Sequence, residues 1–220
     1  MSHALELREV TIHLGERLLI AKLTLRVAAG EVVTVMGESG SGKSTLLAYL
    51  CGTLAPAFSA EGGVRVAGRE VDTLPPEQRR VGILFQDDLL FPHLSVGDNL
   101  AFALNPRVRD RARRRQLIDR ALAEAGLAGF ALRDPATLSG GQRARVSLMR
   151  VLLADPRVLL LDEPFSKLDA ATRQRFRRFV FDHARQAALP VLMVTHDPLD
   201  AEAAGGTVVR LTGPSSRTMA

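Results

Sequence analysis

The stretch Gly37-Glu38-Ser39-Gly40-Ser41-Gly42-Lys43-Ser44-Thr45 combines glycines, a lysine and hydroxyls at the G-x-x-x-x-G-K-S spacing of a P-loop. Such a loop holds phosphate. Glycine lets backbone N–H groups close on an anion, and a side chain at Gly37, Gly40 or Gly42 would hold them away. Lys43 adds a point charge for the β- and γ-phosphates, and the Ser44 hydroxyl suits Mg²⁺. A flexible Gly/Ser turn explains the composition but rarely the whole pattern. Other polar groups follow apolar runs: Gln86, Asp162-Glu163 and His196. Asp162 has the setting of a metal-holding aspartate, and Glu163 that of a general base for an attacking water. An Asp-Glu pair can also be a helix-capping turn; beside a P-loop the chemical reading is the stronger. Gln86 is a candidate for orienting the water, sensing the γ-phosphate and contacting the metal. His196, which alone would read as structural, is a candidate γ-phosphate contact.

These groups need a scaffold. Residues 32–36 read as a buried strand and 46–50 as the start of a helix, so the P-loop is a strand-to-helix turn whose N–H groups and dipole meet the phosphate. Runs at 81–85, 158–161 and 191–194 read as further buried strands. In an open α/β sheet the carboxyl ends of such strands share a crevice, which would gather the four polar groups. Leu5-Glu6-Leu7, Val10-Thr11-Ile12 and residues 22–27 alternate like short antiparallel strands. Residues 55–63 read as a loop, and 64–66 with 68–71 as a hairpin returning to those strands. Residues 87–138 read as a helical insertion, with a capped start at Ser95 and helical spacing over 116–125. A later helix passes through Phe176, Phe179, Val180 and His183, the last read as structural. From Gly205 a short strand leads into a Gly/Pro/Ser end expected to fray.

Composition narrows the class. At 220 residues, 46% apolar and 24% charged, the chain can bury a proper core as a globular protein. No apolar run nears the ~18 residues of a membrane span, and no signal-peptide pattern opens it, so a cytoplasmic protein is expected. One cysteine, Cys51, excludes an internal disulfide and a multi-cysteine zinc site; in an apolar helix it reads as a small buried hydrophobe. A net charge of +5 permits nucleic acid or anionic membrane contact without arguing for either. The arginines between Arg107 and Arg115 have no interleaved aromatics and read as a solvated face, so no nucleic acid is expected.

Leu138-Ser139-Gly140-Gly141-Gln142 decides among nucleotide-binding classes. It offers a second anion-binding helix start to a chain that already has one, useful to a nucleotide held on another subunit. With residues 37–45, Gln86, Leu159-Leu160-Leu161-Asp162-Glu163-Pro164, Ser166-Lys167-Leu168-Asp169 and His196, in order and across nearly the whole chain, the set resembles an ATP-binding cassette (ABC) ATPase. The resemblance implies an α/β fold with three parts. They are a P-loop NTPase core of mostly parallel sheet flanked by helices, an antiparallel β-subdomain, and a helical subdomain. Core and β-subdomain would take about 1–86 and 156–220, and the helical part about 87–155. It further implies ATP and Mg²⁺ as cofactors. Two chains would pair head to tail around two ATP, one chain's P-loop facing Ser139, Gly140, Gly141 and Gln142 of the other.

Residues 85–96 are similar to bacterial solute importers, and Asp134-Pro135-Ala136-Thr137 with Arg143-Ala144-Arg145-Val146 resembles the short subunits of the Ynj-type importer. Importer chains carry an aromatic residue just before the glycine at position 15 to stack on adenine. Here His13-Leu14 stand there, making His13 the candidate. Glu38 replaces a frequent proline, which is tolerable because its side chain need not face the phosphates. The expected protein is thus a homodimeric importer ATPase, peripheral on the inner face of the membrane, with permease subunits and a separate solute-binding protein as partners. Its rivals are an ATPase for lipoprotein release or cell division, a DNA-maintenance ATPase and a small-molecule kinase.

Overall fold

The computed structural model describes residues 4–211, which fall into two compact units. The first comprises the chain up to Ile83, Arg157–Glu163 and the chain from Phe181; the second comprises Leu84–Pro156 and Pro164–Val180.

Two sheets build the first unit. β1 (Leu5–Leu14), β2 (Arg17–Val27), β4 (Phe58–Val66) and β5 (Arg69–Glu70) form an antiparallel sheet in the order β2-β1-β4-β5. The other sheet runs β6-β7-β8-β3-β9, with β3 (Val32–Met36), β6 (Val81–Leu84), β7 (Val158–Asp162), β8 (Val191–Thr195) and β9 (Val208–Arg210). Within it β7, β8, β3 and β9 are parallel neighbours. The wholly buried sequences of β3 and β8 follow from this, since a parallel sheet is covered on both faces. Helix α1 (Lys43–Cys51) packs Leu46, Leu47 and Leu50 into one core with Leu5, Leu7 and Ile12 of β1, Val33 and Val35 of β3 and Leu192 of β8.

The C-terminus of α1 is closed by Gly52 in the left-handed region and by the buried Arg79, which ends α2 (Pro76–Arg79). Arg79 donates to the carbonyls of Tyr49 (2.8 Å), Asp72 (2.7 Å) and Leu74 (2.7 Å). A cation at a helix C-terminus is favourable, and these bonds offset burial, which pushes the Arg79 pKa down. Cys51, last in α1, is buried enough to push its thiol up to about 11, consistent with the small-hydrophobe reading.

The fold is α/β, as expected, with two corrections to its strands. Residues 55–63 are not all loop: β4 begins at Phe58 and pairs with β1 from Leu14↔Phe58 to Leu5↔Val66. The Gly62-Gly63 pair obscured the strand. It sits where the β1–β4 register shifts between Arg8 and Thr11, and Gly62 has φ 97° with an added Cβ only 2.6 Å from the Arg8 carbonyl oxygen. A bulge of this kind needs glycine while looking like a turn in sequence. The N-terminal strands are also two long ones rather than three short ones. The tail expected to fray lies outside the described residues.

The second unit is helical. α3 (Val96–Ala103), α4 (Arg111–Glu124) and α5 (Gly140–Leu153) share a core of Val96, Leu100, Leu122, Val146 and Met149. Asp110 caps α4 through Ala112 N (2.8 Å), and most arginines of the 107–115 run are solvent-exposed. One face of α5 holds the segment after Gln86: Arg143 reaches the Asp88 carboxylate at 3.0 Å, Ser147 Oγ donates to Asp88 O at 2.7 Å, and Arg150 donates to Leu89 O at 2.9 Å. The buried Asn99 ties the same segment from α3 through Phe91 and Leu94. α6 (Ala170–Gln186) runs from the second unit into the first, and α7 (Pro198–Ala204) follows β8.

Candidate functional site

β8 lies between β7 and β3, so the carboxyl ends of three adjacent parallel strands open together. β3 leads into the P-loop, β7 into Asp162-Glu163, and β8 into His196. An open cleft of about 660 Å³ collects residues 37–40, Gly42, Lys43, Ser44, Thr45, Glu163 and His196. That volume suits a ligand of nucleotide size.

The loop is shaped for an anion. Gly40 and Gly42 have φ 78° and 93°, in the left-handed region that favours glycine. Gly37 is needed for room: an added Cβ would lie 2.6 Å from Ser41 Oγ and 2.8 Å from the Leu211 carbonyl oxygen. Gly42 is the N-cap of α1 and supplies no side-chain acceptor, so the first-turn N–H groups are left for another partner. Ser41 Oγ is buried without a hydrogen-bond partner. Lys43, 7% exposed, donates to the carbonyls of Gly37 (2.8 Å) and Glu38 (2.7 Å), which fixes its ammonium over the loop.

Beside the loop, Ser44 Oγ donates to Asp162 Oδ1 at 3.5 Å. Burial, then the adjacent Glu163 carboxylate, hold the Asp162 pKa above the ordinary carboxylate range, against the opposing effects of Ser44 and Lys43. A raised carboxylate beside a hydroxyl, both hard oxygen donors, fits a Mg²⁺ ion whose charge would favour the ionised form. Glu163 sits at φ 45°, a conformation costing an ordinary residue about 1 kcal/mol or more and often kept at functional positions. Its amide donates to Val194 O at 3.0 Å, and its Oε1 lies 3.0 Å from His196 Nδ1. A carboxylate only accepts, so this contact puts a proton on Nδ1, and Nε2 can donate to an anion only if it carries a proton as well.

The cleft is also lined by Leu14, Leu19 and Phe58, with Arg17. Leu14 is directly opposite Arg17 on β2 and Phe58 on β4, so the three stand in one row across the antiparallel sheet. His13 pairs instead with Leu18 and Ser59, none of which lines the cleft. The expectation for His13 is therefore corrected: successive strand residues face opposite sides, and the residue delivered to the cleft is Leu14.

Ser139, Gly140, Gly141, Gln142 and Gln86 belong to the second unit. Ser139 caps α5 in a complete capping box: its Oγ accepts from Gln142 N (3.3 Å), and Gln142 Oε1 accepts from Ser139 N (2.9 Å). The glycines between them differ. A Cβ at Gly140 would meet only Arg143 Nη2, at 3.9 Å, whereas one at Gly141 would lie 2.4 Å from Thr172 Cγ2. Gln86 and Gly140 both line a cavity of about 170 Å³, with Lys167 paired to Asp87 and Arg143 to Asp88.

Residues 20–166 match the ABC transporter family. The chain belongs to the ABC transporter ATP-binding family. It is 50% identical over 196 residues to the uncharacterized ABC transporter ATP-binding protein YnjD of Escherichia coli (strain K12), covering 89% of this chain and 90% of that protein. It is 43% identical over 198 residues to the thiamine import ATP-binding protein ThiQ of Jannaschia sp. (strain CCS1), covering 90% and 84%. The sulfate/thiosulfate import ATP-binding protein CysA of Mycobacterium tuberculosis (strain ATCC 25618 / H37Rv) is 39% identical over 201 residues, covering 91% of this chain and 56% of that protein. As an ABC ATP-binding chain it binds ATP and is an ATPase coupled to transport, working as a dimer with membrane permease subunits. Among the described residues no helix is long and apolar enough to cross a membrane.

Sequence reasoning missed four cleft residues of this ABC chain, Leu14, Arg17, Leu19 and Phe58, the last because its segment was read as loop. The alternation of Phe58, Ala60 and Gly62 with Ser59, Glu61 and Gly63 was a usable strand signal, weakened by the glycines.

Proposed function

We propose that this chain is the ATP-hydrolysing subunit of a bacterial ABC importer, closing as a homodimer on two ATP and reopening on hydrolysis to drive a partner permease. The observation carrying the chemical part is the 3.0 Å contact between His196 and Glu163 at the edge of the P-loop cleft. In this reading the amides of residues 37–45 and the Lys43 ammonium bind the β- and γ-phosphates. Glu163 takes a proton from a water whose oxygen attacks the γ-phosphorus, and the bond from that phosphorus to the bridging oxygen breaks to release ADP. His196, oriented through Nδ1–H, donates from Nε2–H of the doubly protonated ring to a γ-phosphate oxygen. Ser44 and Asp162 would hold Mg²⁺, which when bound neutralises charge on the phosphates. Gln86 keeps a proposed part in orienting the water and contacting the metal. Ser139, Gly140, Gly141 and Gln142 serve the nucleotide held by the partner copy.

Position on the inner face of the membrane and delivery of solute by a separate binding protein follow from the importer reading. Glu163→Gln should keep ATP binding, form a stable ATP-dependent dimer and lose turnover. Hydrolysis per chain that ignores both dilution and Ser139→Ala would overturn the proposal.

A further inference from the structure

We propose that the buried Thr195 hydroxyl and Asp200 carboxylate form a positioning device for His196, acting on the hydrolytic step through that ring. The inference rests on the reading of His196 as a γ-phosphate contact and adds what holds it there. The His196 side chain is 65% exposed and meets Glu163 Oε1 at 3.0 Å, so packing does little to fix it. The residue before it is different. Thr195, the last of β8, is 1% exposed, and its Oγ1 donates to Asp200 Oδ2 at 2.9 Å. The same oxygen accepts from Asp197 N at 3.1 Å. One hydroxyl thus ties the backbone on both sides of His196, using donor and acceptor together. Donating to a carboxylate also strengthens the bond that the hydroxyl accepts.

Neither neighbouring element needs this link. β8 is held along its length by β3 and β7, up to Met36↔Thr195 and Asp162↔Val194. α7 is capped by Asp197, whose Oδ1 accepts from Leu199 N at 2.9 Å. Asp200 lies within α7 and is 2% exposed, a costly place for a carboxylate, and its Oδ2 reaches back to the strand end. What remains for that contact to fix is the turn 195–197, which carries His196. Glu163 is tied to the same strand end, since its amide donates to Val194 O at 3.0 Å. The end of β8 therefore locates both partners of the His196–Glu163 contact, one through a backbone bond and the other through Thr195 and Asp200. Rigid placement of a group against the reacting phosphate lowers the barrier without changing how tightly ATP is held.

The test reads phosphate release by the full chain at saturating ATP, at a temperature where circular dichroism shows each variant folded. Thr195→Val keeps the shape and removes the hydroxyl. It should lower kcat about tenfold, the scale of one lost hydrogen bond, and leave KM within about twofold. ATP affinity in the Glu163→Gln chain should be equally unmoved by it. Thr195→Ser, which restores the hydroxyl, should recover most of the turnover. Asp200→Ala should match Thr195→Val, and Asp200→Asn, which can still accept from Thr195, should fall less than either. The deciding measurement is the cycle with His196→Ala in single-turnover assays, which follow slow hydrolysis: Thr195→Val should then cost nothing further. An unchanged kcat in Thr195→Val, a loss of ATP affinity, or a further loss in the His196→Ala background would overturn the inference. If Asp200→Ala does not fold, these outcomes still decide it. Full turnover in His196→Ala itself would instead defeat the reading of His196 on which the inference rests.

Discussion

The starts of α1 and α5 are both glycine-bearing helix N-termini, yet they are finished differently. α1 has Gly42 as its cap and no side-chain acceptor for its first-turn N–H groups. α5 has Ser139 and Gln142 satisfying each other's backbone. The first therefore depends on an outside anion for its donors, while the second is stable by itself and must share its cap with whatever it binds. The glycines differ in the same sense. Gly40 and Gly42 permit left-handed backbone, Gly141 permits close packing on Thr172, and a Cβ at Gly140 would meet only Arg143 Nη2, at 3.9 Å.

The largest effect should come from the dependent start. Lys43→Ala removes the cation that accompanies the uncapped amides and should weaken ATP at least 100-fold by calorimetry, with little change in thermal stability. Glu163→Gln should lower turnover at least 100-fold in a phosphate-release assay, as expected for loss of a general base. Gly141→Ala against Gly140→Ala then separates packing from binding within α5. The first should destabilise the protein by about 1–3 kcal/mol in urea unfolding, as overpacking does. The second should leave stability intact and lower turnover. Equal stabilities for the two would break the distinction drawn here.

Smaller effects sharpen it. Ser139→Ala removes a cap worth about 1 kcal/mol, whereas no comparable side-chain cap exists to remove at α1. Asp162 gives a pH test. Its pKa is raised in the folded chain, so between the unfolded and folded values the native state binds more protons and stability falls as pH rises. Asp162→Asn should raise the melting temperature of nucleotide-free protein by a few degrees at neutral pH, with the gain vanishing below about pH 4, the unfolded carboxylate range. A gain that persists at low pH would mean that the carboxylate's charge is not the cause.

Much was legible in the sequence because it is local. A P-loop is a run of neighbouring residues whose spacing encodes its own strand, turn and helix. Asp162-Glu163 and His196 announce themselves by ending apolar runs. The Ser139 cap was visible because its partner Gln142 is one helical turn away. Other features depend on residues distant in sequence. His13 and Leu14 are adjacent and equally plausible in one dimension, and only the pairing of β1 with β2 and β4 decides that Leu14 and Phe58 face the cleft. A one-residue change of register would exchange the two faces. Gly141 likewise looks like its neighbour until Thr172 is placed against it. The sequence by itself thus determined which chemical groups this ATPase owns and which strand ends carry them. The tertiary structure decided which face each strand turns toward the cleft and which glycine is spent on packing, because both are set by contacts between segments far apart in the chain.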